Sequence, residues 1–478
     1  MTNQKATQAK DSHNFAPEIL RAYDIRGVVG DTLTKTDAYY LGRAFGTYIR
    51  RREGSKVCLG YDGRTSSPEL AGEVARGLSE SGVDVEQVGL GPTPMVYFAV
   101  KDRMADGGIM VTGSHNPPMH NGFKMTLQTG PVYGEAVQEL GEIAASGDFE
   151  SGNGVIEDYD ISKNYVSRLI RDLSTSRPLK IAWDAGNGAA GPILRKLIQH
   201  LPGEHILLYD EVDGLFPAHH PDPTVDENLK DLQNVVMNQG CHMGIAFDGD
   251  GDRIGVVDEK GNVVRGDLLL VLYAREILED MPGSTIIADV KCSQVLFDEI
   301  ERLGGETVIC ATGHSILKSK LNELRAPLAG ELSGHIFFAD KYYGFDDALY
   351  CGVRLMNLLD DTKGGLSELL KGMPTTINTP EIRFEVEESQ KFGLIDRAVD
   401  FYKSLPDAKD WEVVDIDGIR LVTPYGWLLM RASNTQNVLS MRMEANSRED
   451  LGRLKALAGK GLSELGLDVD TILSEIDG

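Results

Sequence analysis

Thr112-Gly113-Ser114-His115-Asn116-Pro117-Pro118 places a serine between a glycine and a histidine, in a loop closed by two prolines. That composition suits the presentation of one hydroxyl. Far downstream, Asp248-Gly249-Asp250-Gly251-Asp252-Arg253 sets three carboxylates on alternate residues, with glycines that let the backbone fold around something small and positive. A serine hydroxyl is a weak nucleophile and needs a base, a metal or an already activated electrophile. Phosphoryl transfer suits the pair. There a protein supplies mainly position and charge neutralisation, and a carboxylate-held cation can neutralise oxygens of a phosphate carried on the serine. Three such oxygens plus a phosphoserine oxygen suit Mg²⁺.

Each motif has a plainer counterpart. Gly-Ser-His by itself is compatible with an ordinary turn. Asp248, Asp250, Asp252 and Glu259 fall at the first, third, fifth and twelfth positions of an EF-hand loop. The sixth position, where that loop's turn wants glycine, is Arg253, and the flanking segments 243–247 and 254–257 read as strands, which argues against a calcium loop. Arg431-Ala432-Ser433-Asn434-Thr435 gathers a guanidinium, two hydroxyls and an amide. These donors match a phosphate monoester, although a solvated turn has the same composition. In Gly330-Glu331-Leu332-Ser333-Gly334-His335 a carboxylate, a hydroxyl and an imidazole are able to bridge sugar hydroxyls.

The chain of 478 residues with 41% hydrophobic content is long enough for three or four domains. A formal charge of −25 and a pI near 4.8 disfavour nucleic acid and anionic membrane surfaces as partners, so an anionic substrate would need a locally basic pocket. Residues 1–15 are polar, lack the apolar core of a targeting peptide and read as a loose tail. The best apolar run, 268–274, falls well short of the roughly 20 residues a membrane helix needs, so the expected location is cytoplasmic. The five cysteines, Cys58, Cys241, Cys292, Cys310 and Cys351, lack close pairing and read as reduced, mostly buried thiols. The ten histidines show no metal-ligand spacing, and His219-His220-Pro221 reads as a turn.

The elements that must position these residues repeat. Three times a β-rich run ends at an aspartate, a polar loop leads into a helix, and a second strand follows. The runs are 57–62 with 85–88, 180–184 with 205–209, and 285–289 with 307–310. Strand, helix and strand at that spacing form a βαβ unit with parallel strands and helices outside. After a linker-like stretch at 372–376, strands at 382–386, 411–415, 418–423 and 427–431 and helices near 394–405 and beyond 447 predict an antiparallel α+β domain. The expected division is 1–160, 161–263, 264–373 and 377–478.

Taken together, the motifs closely resemble the α-D-phosphohexomutase superfamily, in particular its bacterial phosphomannomutase/phosphoglucomutase group. The resemblance runs over nearly the whole chain. It is carried in order by Arg21-Ala22-Tyr23-Asp24-Ile25-Arg26-Gly27, the Ser114 loop, Asp213-Gly214-Leu215-Phe216-Pro217, His219-His220-Pro221-Asp222-Pro223, the aspartate triplet, Thr312-Gly313-His314, the Glu331 loop and the Arg431 loop. It implies three similar mixed α/β sandwich domains and a smaller α+β C-terminal domain around a central cleft. These would contribute in turn a phosphoserine, a metal site, a sugar-binding loop and a phosphate-binding loop.

The resemblance further implies that Ser114 donates a phosphoryl group to a hexose 1-phosphate, that a hexose 1,6-bisphosphate forms and reorients, and that the other phosphate returns to Ser114, leaving the 6-phosphate. Mg²⁺ would be held by Ser114, Asp248, Asp250 and Asp252. Tyr23, Lys291, His314, Glu331, Ser333 and His335 would contact the sugar, and Arg431, Ser433, Asn434 and Thr435 the non-transferring phosphate. Lys124 and His335 are the candidates for proton transfer, with Arg26 and Arg253 beside the reacting phosphate. The expected partners are small phosphosugars, with the protein a monomer or weak dimer.

The serine loop resembles the mannose/glucose group. Phosphoglucosamine mutases, the alternative within the superfamily, typically carry alanine before the serine and glutamine where Leu332 stands. The mannose/glucose enzymes usually have methionine there, a volume-conserving difference. A metal-dependent sugar phosphatase would also use a phosphoserine but would need an activated water. A catalytically silent sugar-phosphate sensor would lack Ser114 or the aspartates, all of which are present.

Overall fold

The structure is a computed structural model that describes residues 11–360, 362–387, 389–433 and 437–474. Its described residues form two compact units, one drawn from Met1–Arg265, Ser333–Phe337 and Phe345–Glu368, the other from Gly266–Leu332, Phe338–Gly344 and Leu369–Gly478. The segments 333–337 and 345–368, inside the stretch expected to be one sugar-binding domain, therefore pack with the first unit.

All three βαβ units form as the sequence predicts, each with parallel strands. Lys56–Tyr61 pairs with Asp84–Leu90, Leu179–Asp184 with Gly203–Leu208, and Thr285–Asp289 with Glu306–Cys310. In the first unit, Lys56–Tyr61 also pairs in parallel with Gly107–Val111, which is buried at every residue. His120–Leu127 then runs antiparallel between Gly107–Val111 and Ile25–Val28. The order brings the ends of Ile25–Val28, Lys56–Tyr61 and Gly107–Val111 to one region, where the Ser114 loop leaves the sheet.

The helix Lys35–Arg50 starts at a capping box in which Thr34 and Asp37 satisfy each other's backbone N–H groups. It crosses Ser67–Glu80 through backbone contact. A Cβ on Gly42 would lie 2.3 Å from the Val74 carbonyl oxygen, and one on Gly77 2.3 Å from that of Tyr39. Residues 11–15 are a correction to the loose tail expected there: His13 bonds Asp37 at 2.7 Å, and Phe15 is buried in the same core. The second sheet continues from Leu179–Asp184 into Met243–Phe247, which returns antiparallel as Ile254–Asp258, so the aspartate triplet sits on the connection between two buried strands.

In the second unit, Thr285–Asp289 lies between Glu306–Cys310 and Leu328–Gly330, all parallel. The C-terminal sheet is antiparallel as expected, but its central strand, Val438–Ala445, was not among the expected strands. It alternates apolar and polar residues from Leu439 to Ala445, and its polar face carries Arg442 and Glu444, two charged residues that are nonetheless buried. All five cysteines are buried free thiols. Among the described residues no helix is long and apolar enough to cross a membrane.

Candidate active site

Ser114 is almost fully buried and holds φ at +50°, the left-handed region that non-glycine residues rarely occupy. Its N–H donates to Thr112 Oγ1 at 2.8 Å, which turns the loop immediately after the strand Gly107–Val111. The hydroxyl is thereby aimed at the aspartate connection, where Oγ lies 3.1 Å from Asp248 Oδ2. The approach needs glycine on the other side, since a Cβ on Gly249 would sit 2.4 Å from the Ser114 carbonyl oxygen.

Asp248, Asp250 and Asp252 are fully buried, with one oxygen from each mutually within 4.8 Å. Asp248 Oδ1 accepts the backbone N–H groups of Asp252 and Arg253, leaving Oδ2 toward the serine. Asp250 Oδ2 accepts from Lys124 and Thr93, with Thr112 Oγ1 3.1 Å away, and Asp252 Oδ2 accepts from Lys124. Oδ1 of Asp250 and Oδ1 of Asp252 are buried without a hydrogen-bond partner. A buried carboxylate oxygen in that condition is costly unless a cation meets it. An all-oxygen donor set of this kind fits a hard divalent ion. Burial, then repulsion from Asp250 and Asp252, pushes the Asp248 carboxyl well above its usual range. Asp252 is raised by burial and by Asp250. Burial would raise Asp250 too, but the Lys124 ammonium prevails and pulls it down.

A positive field surrounds the serine, although the chain as a whole is acidic. Burial first, then the charges of Arg253, Arg26 and Lys124, push His115 well below its ordinary value, and its Nδ1 lies 3.2 Å from Ser114 Oγ. Arg26 is held by Asp24 at 2.7 Å and reaches Asn116 at 3.1 Å. Arg253 Nε donates to His335 Nε2 at 3.0 Å, while His335 Nδ1 lies 3.0 Å from Asp346 Oδ2. An arginine nitrogen can only donate, so Nε2 is the accepting nitrogen of His335 in this geometry. Burial opposes the Lys124 charge, yet Asp250 and Asp252 raise its pKa, so this lysine is held as a cation.

The first unit therefore brings together Ser114, Asp248, Asp250, Asp252, Lys124, Arg253 and His335, with Arg26 close by. Tyr23 lies two residues before the Arg26 strand and Ser333 two before His335, both partly buried. Lys291, His314, Glu331 and Arg431 belong to the second unit. There Asp289 organises the ends of three strands: its oxygens accept from Thr312 Oγ1 at 3.1 Å and from the N–H of Leu332 at 3.2 Å, and Lys291 Nζ is 3.8 Å away. Glu331 accepts the Gly313 N–H at 2.6 Å, just before His314 opens its helix. Asp417 Oδ2 accepts both Arg431 Nε and the Thr312 N–H at 3.0 Å. Arg431 is thus tied to the Thr312-Gly313-His314 loop. Ser433 bonds the Val438 carbonyl through its N–H, and Asn434 and Thr435 lie outside the described residues.

Sequence reasoning missed the supporting carboxylates. Asp62 directly follows the first strand of its βαβ unit, Asp184 and Asp289 end theirs, and each gathers loop groups: Asp62 those of Ser67, Thr112 and Gly113, Asp184 those of Gly186 and His219, and Asp289 those described above. The repeated strand-final aspartate was visible, but its partners were not. Asp24 and Asn116 lay inside quoted motifs, whereas Asp346 and Asp417 carried no local signal.

Family models match along the chain. Those for phosphoglucomutase/phosphomannomutase α/β/α domains I, II and III match residues 17–151, 163–261 and 265–377, and that for the C-terminal domain matches 381–458. A Pseudomonas aeruginosa phosphomannomutase/phosphoglucomutase is 43% identical over 92% of this chain and 94% of its own. A Neisseria meningitidis phosphoglucomutase is 41% identical over 92% of this chain and 96% of its own. The crystal structure of a Burkholderia thailandensis protein of the same family superposes with a TM-score of 0.89 at 43% identity, covering 95% of this chain and 98% of that one.

Proposed function

Since the chain belongs to the phosphoglucomutase/phosphomannomutase family, we propose that it interconverts hexose 1-phosphates and hexose 6-phosphates, of mannose, glucose or both, through a phosphoserine and a hexose 1,6-bisphosphate. One observation carries this reading. A buried serine hydroxyl stands 3.1 Å from Asp248 of the carboxylate triplet, where the cations Arg253, Arg26 and Lys124 add a positive field that, after burial, pushes His115 down. A group transferred to and from Ser114 with anionic oxygens is what such a field stabilises.

Asp248, Asp250 and Asp252, with an oxygen on Ser114, would hold Mg²⁺, which when bound neutralises charge on the transferring phosphoryl group. Arg26 and Arg253 flank the same oxygens. Lys124, fixed as a cation between Asp250 and Asp252, supplies charge rather than accepting a proton. His335, placed between Arg253 and Asp346, would take the proton of the attacking sugar hydroxyl at Nε2 once Arg253 Nε turns from that nitrogen to the phosphoryl oxygens. Tyr23, Lys291, His314, Glu331 and Ser333 would contact the sugar, and Arg431, Ser433, Asn434 and Thr435 the distal phosphate. A clamp separate from Ser114 suits a substrate whose fixed phosphate hangs from C1 in one half-reaction and C6 in the other. The reading extends to domains at 1–160, 161–263, 264–373 and 377–478, to a cytoplasmic monomer or weak dimer, and to small phosphosugars rather than nucleic acid or membrane as partners.

Phosphorus NMR of mannose 1-phosphate with the protein, Mg²⁺ and a trace of glucose 1,6-bisphosphate tests it. Appearance of mannose 6-phosphate without inorganic phosphate is the expected result, and release of inorganic phosphate would replace the mutase with a phosphatase. Glucose 1-phosphate and glucosamine 1-phosphate in parallel define the sugar.

A further inference from the structure

Arg64 is a fully buried cation that touches neither the aspartate triplet nor the phosphate clamp, and its guanidinium serves one loop. Nη2 donates to the carbonyl oxygens of Ser114 at 2.8 Å and Asn116 at 2.5 Å. Nη1 donates to those of Pro117 at 2.6 Å and His120 at 3.0 Å. Nε donates to Asp62 Oδ2 at 3.1 Å, so all five side-chain N–H groups are engaged. The same Asp62 oxygen accepts from Thr112 Oγ1 at 2.8 Å and the Gly113 N–H at 3.0 Å, holding the start of the loop while Arg64 holds its remainder. Gly113 is pressed flat on the guanidinium, since a Cβ there would lie 2.4 Å from Arg64 Cζ. Phe216 covers another side, its ring centroid 5.2 Å from Cζ.

Four carbonyls turned onto one guanidinium is not what a loop adopts unaided. Released, they would seek other donors, and Ser114, held at φ +50°, would relax from a conformation that local energetics disfavour. Carbonyl dipoles turned outward would also oppose anionic oxygens at the serine. We infer that Arg64 is a positioning residue for phosphoryl transfer: its planar fork, through four loop carbonyls, fixes the trajectory of Ser114 Oγ. The inference rests on the reading of Ser114 as the phosphoryl carrier. It makes the fork rather than the charge the working feature, since a lysine ammonium offers three donors from a single point and cannot span four carbonyls.

The test compares Arg64→Lys, Arg64→Met and Ser114→Ala with the unaltered full chain in Mg²⁺ and glucose 1,6-bisphosphate. It reads kcat and KM for glucose 1-phosphate, the rate at which Ser114 takes a phosphoryl group from the bisphosphate by intact mass, and the circular dichroism melt. A displacement of the hydroxyl by about 1 Å lowers kcat by about 100-fold. The expected result is that fall for folded Arg64→Lys, an equal fall in Ser114 phosphorylation, KM within about 2-fold, and a larger fall for Arg64→Met. A folded Arg64→Lys with kcat near that of the unaltered chain, beside an inactive Ser114→Ala, overturns the role of Arg64 and leaves the serine reading intact. A change confined to KM, or unfolding of both Arg64 variants, also overturns it, because the role assigned is to one loop and not to domain stability. Full turnover by Ser114→Ala would remove the carrier itself.

Discussion

Lys124→Met is the most informative single change in the site. The lysine is 3% exposed, its ammonium lies 2.8 Å from Asp250 Oδ2 and also contacts Asp252, and both carboxylates are fully buried. Breaking a buried ion pair by removing one partner costs about 3–5 kcal/mol, because an uncompensated charge remains in a site water does not reach. Here the remainder is three carboxylates, so in chelator the variant is expected near the upper end of that range, about 5 kcal/mol, reduced by whatever proton the triplet takes up. A divalent ion at the triplet replaces the lost positive charge. Binding stabilises by about 4 kcal/mol at a free concentration 1,000 times the dissociation constant. Mg²⁺ is therefore expected to recover most of the deficit and to bind the variant more tightly than the unaltered chain. Scanning calorimetry of both proteins in EDTA and in Mg²⁺ measures this. Equal stability of the two proteins in EDTA, or an equal Mg²⁺ increment for both, would refute the electrostatic account of the cluster.

Gly77→Ala is expected to destabilise the first unit by about 1–3 kcal/mol, since its Cβ must enter a helix crossing built on backbone contact; urea unfolding followed by circular dichroism measures it. Arg431→Lys keeps the charge but gives up the fork that Asp417 orients, so KM for sugar phosphate should rise about 10-fold or more with kcat nearly unchanged, as steady-state kinetics will report. His219 is lowered by burial but raised more by its hydrogen bonds to, and the charge of, Asp184, so its folded pKa lies above its ordinary value of 6.5. Its contribution is present in full below the unfolded pKa and is lost as pH rises through the folded one. Melting curves of the unaltered chain minus those of His219→Gln should show that loss between slightly acidic and alkaline pH, and a flat difference would count against it.

Much of the fold was legible because it is local. The three βαβ units follow from apolar runs, strand-final aspartates and glycines after the helices, and each appears with the expected parallel pairing. Val438–Ala445 was missed although it alternates apolar and polar residues, and Arg442 and Glu444 on its polar face look like surface charges. They are buried because Arg442 bonds the Lys291 carbonyl and Glu444 accepts from Trp427 and from the N–H of Gln294. Residues 11–15 escaped for a similar reason, their polar composition hiding the His13 to Asp37 contact and a buried Phe15.

The candidate site divides along the same line. Ser114, the three aspartates, Glu331 and Arg431 could be named from the sequence because reactive groups at fixed spacing within one loop are a property of consecutive residues. That Ser114 meets Asp248 across 134 positions, that Lys124 is buried against Asp250 and Asp252, and that Arg64 gathers four carbonyls of the serine loop were decided by tertiary structure. The physical reason is burial. A charge or a carbonyl takes its role from the partners that replace water around it, and in this fold those partners come from strands and loops far apart in the chain.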